Sequence, residues 1–141
     1  MDDGSGVSDG RRKMSPWPLF VALGLAISEV GVVLNLLPLS VGGLLLLVGS
    51  VSGIVTEAGY VDRPWGLLGG LGALLVALGG IMVVTQTPLD PSAILATVER
   101  SVAGPDPNGV VQRGLSVAFA GVIALLASRV AVVAEPDART V

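Results

Sequence analysis

Four apolar stretches dominate this chain of 141 residues, and each is long enough, or nearly so, to cross a bilayer. They fall at about residues 17–37, 39–55, 65–84 and 110–133, joined by connections that carry the prolines and most of the charge. A membrane-crossing helix needs about 20 apolar residues, with about 17 as a working minimum. Within hydrocarbon its backbone polar groups must be bonded inside the helix, which leaves few folds open to such a chain. The pattern therefore predicts an all-α membrane protein with four transmembrane helices in an antiparallel bundle. Charged residues make up 13% of the chain, about half the 25% usual in soluble domains.

The segments divide as follows. Residues 1–15 form a polar tail that ends in Arg11, Arg12 and Lys13, and residues 134–141 form a second one. The four-span membrane domain occupies 16–133. Charge followed by an apolar run imitates a signal peptide, but the first run exceeds the usual h-region of about 7–15 residues and reads as an uncleaved span. Pro16-Trp17-Pro18 opens span one and Pro38 closes it, leaving almost no loop before a short span two. Span three opens in the same manner, at Pro64-Trp65. No internal repeat stands out among the four spans. Between spans three and four, Asp90 caps a short helix over Ala93–Ala103 with Pro91 in its first turn. That helix either lies in the outer interface plane or rests on the bundle, and a turn at 104–109 follows it. Arg11, Arg12, Lys13, Arg63, Arg129 and Arg139 share one side of this topology, against Arg100 and Arg113 on the other. The positive-inside rule then places both termini in the cytoplasm.

Glu29 is the one ionisable residue within the first stretch. Insertion scales put the cost of an acidic side chain at the centre of a membrane helix at about 2.5–3.5 kcal/mol. On a helix it shares a face with Ala22, Leu25, Ala26, Val32, Val33 and Leu36, and the two alanines let that face approach a neighbour. Three roles are open to it: a hydrogen bond inside the bundle, a pairing with a donor on another protein, or proton transfer. No second intramembrane acid extends a proton path. Arg129, near the end of span four, is the internal partner to test, with snorkelling to the headgroups as the plainer account. Arg113 reads as an interface anchor. Asn35, the second polar group of span one, is placed to bond the Pro38–Ser40 turn. Gly49 and Gly53, and Gly66 and Gly70, have the spacing that lets membrane helices pack closely, and Gly69, Ala73 and Ala77 continue the seam. Tyr60 and Trp65 suit an interfacial belt.

Histidine and cysteine are both absent. This removes the usual haem, copper and zinc ligands along with thiol nucleophiles and imidazole bases. The expectation is a chain with no catalytic residues, no metal site and no cofactor. One lysine stands against seven arginines, and eleven acidic residues against eight basic ones. That balance fits either a high-salt cytoplasm or GC-rich codon usage.

The run from Met14 to Gly31 resembles the first helix of a haloarchaeal membrane family labelled "cox cluster protein". Asn35 to Leu44 and Glu57 to Tyr60 are similar to the same family, so the resemblance covers about the first half of the chain. It implies a salt-loving archaeal source and an association with haem–copper terminal oxidases of the respiratory chain, without assigning catalytic residues. The expected function is a non-catalytic accessory subunit or assembly factor of such an oxidase, embedded in the cell membrane. The alternative is a homo-oligomeric small transporter or channel component with Glu29 as its protonatable site.

Overall fold

Proline and the left-handed turn residues mark out the helices. A computed structural model describes residues 14–104 and 107–135; residues 1–13 and 136–141 of the expected tails, and Pro105 and Asp106 of the expected turn, lie outside them. Five helices, and no strands, occur among the described residues: α1 (Trp17–Val33), α2 (Leu37–Glu57), α3 (Pro64–Val84), α4 (Pro91–Ala103) and α5 (Gly109–Ala134). Proline stands in the first turn of the first four, where its missing N–H costs no helical bond. In α5 the Asn108 side chain accepts from the Val110 and Val111 amides instead. Three helices, α2, α3 and α5, are long and apolar enough to cross a membrane, while α1 is an apolar helix of 17 residues.

The boundary between α1 and α2 differs from the expected one. Asn35 adopts a left-handed conformation with φ of 54°. The Leu36 amide donates to the Gly31 carbonyl at 2.8 Å and the Asn35 amide to the Val32 carbonyl at 3.1 Å. These are the paired bonds of a Schellman turn, which stops a helix with an asparagine or glycine just past its end. Helix α1 therefore ends at Val33, and Pro38 opens α2 rather than closing α1. The second helix is longer than expected, with 21 residues, taking in Leu37 and Pro38 at its start and Thr56 and Glu57 at its end. Gly59, with φ of 85°, ends α2 by the same device. There Tyr60 donates to Val55 at 3.1 Å and Gly59 to Thr56 at 3.0 Å.

Burial is arranged inside out. Large side chains such as Leu19, Val33, Leu126 and Val130 are exposed, whereas Ser28, Ser40, Ser50, Ser52, Ser116, Ala120 and Ala124 are buried. Hydrocarbon offers no hydrophobic gain for helix association, so contact must come from close packing, which small residues permit. Three of the buried hydroxyls bond within their own helices: Ser50 donates to the Leu46 carbonyl at 2.6 Å, Ser52 to that of Val48 at 2.9 Å and Ser116 to that of Gln112 at 2.9 Å. Such back-bonds leave no polar group for lipid or neighbour to solvate.

Two tight antiparallel pairs result, α1 with α2 and α3 with α5, joined mainly where α2 meets α5. Their seams match residue for residue. A Cβ on Gly24 would stand 2.6 Å from the Leu47 nitrogen and 2.8 Å from the Gly43 oxygen. On Gly72 it would stand 2.9 Å from the Leu125 nitrogen and 2.8 Å from the Gly121 oxygen. Gly31 abuts Ser40 as Gly79 abuts Ala118, and Gly43 abuts Ser28 as Gly121 abuts Val76. Each first helix also carries a tryptophan in its first turn, one heptad before its first seam glycine, Trp17 before Gly24 and Trp65 before Gly72. The second pair thus repeats the first in the same orientation, with α4 inserted where the first pair has only the Asn35 turn. The internal repeat that the linear sequence did not display is carried by these few contact positions.

α4 rests on the bundle. Val98 packs, with Leu37, against the buried cluster of Val83, Val111 and Leu115, and Thr97 and Ser101 are buried beside it. Asp90 caps α4 as expected, accepting from the Ser92 amide and hydroxyl at 3.4 and 2.6 Å.

Alanine at Gly79 or Gly121 should destabilise the protein by about 1–3 kcal/mol, the range for overpacking a close contact. Alanine at Gly49 or Gly66, where a Cβ meets nothing within 4 Å, should be neutral or raise stability by about 0.5–1 kcal/mol. Unfolding midpoints in mixed detergent and dodecyl sulfate, followed by circular dichroism, would separate the two sets; equal midpoints would refute the seam.

Candidate functional site

The Schellman turn at Asn35 places Glu29 about one helical turn from the end of α1 rather than in the middle of a longer apolar helix. Arg113 lies about one turn inside the start of α5. In antiparallel helices the end of the first and the start of the last fall on the same side, so these residues meet. Arg113 Nη1 donates to Glu29 Oε1 and Nη2 to Oε2, both at 2.8 Å. This two-pronged arrangement matches the planar guanidinium to the carboxylate and is the strong form of the interaction. Nearly half of each side chain remains uncovered, 46% for Glu29 and 42% for Arg113. α1 and α5 touch little elsewhere, so the ion pair is the tie that joins the free edge of the first helix pair to the second.

Arg113 is therefore the internal partner, in place of its expected role as a plain anchor. Arg129 sits at the opposite end of α5, about 24 Å away along the axis at 1.5 Å per residue, and does not meet Glu29. Ser128, beside it, donates to the Trp65 carbonyl at 2.7 Å, which ties this end of α5 to the start of α3. Asn35 acts through its backbone, and no side-chain bond joins it to the Pro38–Ser40 turn. The face of Glu29 is also not the close-packed one. Ala22, Leu25 and Ala26 are exposed, and the seam of α1 runs instead through Gly24, Ser28 and Gly31.

The four glycines expected to pack helices divide. Gly53 accepts the indole of Trp17, 2.7 Å from where its Cβ would be, while Gly49, Gly66 and Gly70 face open space. The seam glycines, Gly72, Gly79, Gly114 and Gly121, recur at heptad spacing rather than every fourth residue. That signal was present in the sequence and was masked by the denser four-residue pattern. The α2–α3 loop leaves Tyr60 exposed, and Ser15 donates to Glu57 at 2.7 Å across the same end.

Two further polar groups lie near the ion pair in sequence or level. Both amide atoms of Gln112 and the hydroxyl of Ser40 are buried without a hydrogen-bond partner among the described residues. A group left so costs about 1–3 kcal/mol. Neither was singled out from the sequence, because a lone glutamine or serine at a helix start reads as surface. No cluster of three carboxylates able to hold a metal ion occurs among the described residues.

The fold and this site define an all-helical protein whose apolar helices suit a membrane. The chain belongs to a family of unknown function, DUF7541, whose model matches residues 1–134. No curated protein and no solved structure matches it.

Replacing Arg113 with Glu, or Glu29 with Arg, should destabilise the protein by placing like charges together. The charge-reversed double variant should recover part of that loss, with a coupling of about 0.5–2 kcal/mol in a double-mutant cycle. Strictly additive effects would show that the pair carries no stability.

Proposed function

We propose that the chain is a four-span membrane bundle, with both termini cytoplasmic, that serves as a non-catalytic accessory subunit or assembly factor of a larger membrane complex. The resemblance of its first half names a haem–copper terminal oxidase as that complex. The observation that carries this reading is the state of Glu29. Glu29, the one acidic side chain of α1, is held by both oxygens in a fork from Arg113. A carboxylate engaged in that way serves as a structural tie, and a proton carrier would have to break it at every cycle. The uncovered half of the pair faces outward near the layer's edge, where a polar surface on a neighbouring subunit, or the headgroups, would complete its solvation.

The homo-oligomeric transporter or channel remains the second reading, favoured by one observation. Duplicated helical units are a common way of building transporters, and the two helix pairs are such a duplication. The Glu29→Gln variant distinguishes the two. A transporter loses pH-dependent flux in reconstituted vesicles, whereas an accessory subunit still co-purifies with its complex.

Two measurements test the proposal. Because the chain lacks cysteine, single cysteines at Tyr60 and Leu89, both highly exposed, report topology without background. Cysteine at Leu89 should react with a membrane-impermeant maleimide on intact cells, and cysteine at Tyr60 only after lysis. The reverse pattern refutes the orientation. Mild-detergent purification of the tagged protein from its native membrane should recover oxidase subunits. Recovery of the protein alone, together with normal oxidase assembly in a deletion strain, would refute the accessory role.

A further inference from the structure

The two helix pairs repeat each other along their seams but diverge on one outer strip, and the divergence has a chemical pattern. In the first pair that strip of α1 carries Pro18, Val21, Ala22 and Leu25. The matching positions of α3 are Gly66, Gly69, Gly70 and Ala73, so the side chain is smaller at each of them. The result is a groove of about 520 Å³ between the start of α3 and the end of α5, floored by these small residues and walled by Leu125 and Val133. The hollow at the same end of the first pair, lined by Ser15, Pro18, Ile54, Glu57 and Ala58, holds about 260 Å³ and does not extend along Val21, Ala22 and Leu25. Position 51 of the first pair is valine; its counterpart beside the groove is Arg129. This arginine is exposed and has no carboxylate partner among the described residues.

The level of the groove is set by tryptophan. Trp17 and Trp65 lie in the first turns of α1 and α3 at this end of the bundle, and tryptophan favours headgroup depth. The Ser128–Trp65 bond holds Arg129 at the same level. An uncovered groove that begins at headgroup depth and runs into the hydrocarbon layer has the shape of a lipid chain, with the Arg129 guanidinium at its mouth.

We propose that this groove binds one anionic phospholipid of the surrounding bilayer. A hydrocarbon chain lies along Gly66, Gly70 and Ala73, and the phosphate is held by the Arg129 guanidinium, which is suited to phosphate oxygens. The site rests on the membrane-bundle reading but not on the choice of partner complex.

The full chain, reconstituted in nanodiscs of equal phosphatidylglycerol and phosphatidylcholine and released for native mass spectrometry, tests it. Wild-type protein should retain one phosphatidylglycerol in preference to phosphatidylcholine by about fivefold, the effect of one basic residue on an anionic lipid. Arg129→Gln should abolish the preference while leaving a lipid bound. Gly70→Leu, which fills the groove where a Cβ meets no neighbour, should abolish retention of both lipids, and Gly49→Leu, equally open but elsewhere, should change nothing. Equal retention of the two lipids by the wild type would overturn the site. So would an unchanged preference in Arg129→Gln, or a protein dimer that excludes lipid from the groove. Should Gly70→Leu fail to fold, as judged by circular dichroism, the Arg129→Gln comparison decides alone. Release of the wild type from membranes by alkaline carbonate would overturn the bundle reading as well, whereas a membrane-embedded protein without lipid preference overturns only the groove.

Discussion

Backbone contact between helices is the constraint on which the rest of this structure depends. At Gly24 against Gly43, and at Gly72 against Gly121, the main chains approach until a single added carbon would collide with a carbonyl or amide. In water such contacts would supplement a hydrophobic core. Here the buried hydrophobic cluster is small, Val83, Val111 and Leu115, while Leu19 and Val130 stay exposed, as suits helices whose surroundings are equally apolar. What remains is dispersion over closely matched surfaces. Those contacts fix the register of each helix pair, and the register in turn decides which side chains face one another across the bundle.

The Glu29–Arg113 fork is one consequence. It belongs to neither seam and has no counterpart in the repeat: Ala77 stands where a second Glu29 would be, and Asn35 where a second Arg113 would be. The ion pair therefore breaks the likeness of the two halves at the point where they must be held together. The groove beside Arg129 breaks it at the other end, by subtraction of side chains. The two helix pairs differ at these two rims, while the seam glycines Gly24, Gly31 and Gly43 correspond to Gly72, Gly79 and Gly121.

Much of the fold was legible in the linear sequence. The bounds of α3 and α5 follow from hydropathy to within one residue, and Asp90-Pro91 announces α4. The first hairpin was misplaced for a specific reason. Pro38 reads equally well as the end of one helix or the first turn of the next, and only the left-handed backbone at Asn35 chooses. The packing glycines were misread because four-residue spacing is frequent by chance in glycine-rich helices. Which face a glycine occupies depends on helix phase, and Gly66 and Gly72 lie on different faces of the same helix. Glu29 was legible as the residue in need of a partner. Arg113 was within reach of topology alone, since the end of span one and the start of span four share a side, whereas Arg129 lies at the far edge.

By itself, then, the sequence determined the all-helical architecture, the number of apolar segments and the absence of histidine and cysteine chemistry. Hydropathy and residue type act locally, within one helix, and need no neighbour to be read. Tertiary structure alone decided which glycines touch, which arginine takes the carboxylate, where a groove is left open and that the chain is built twice over. Each of these is a relation between two helices, set by phase and register, and those become definite only when one backbone is laid against another.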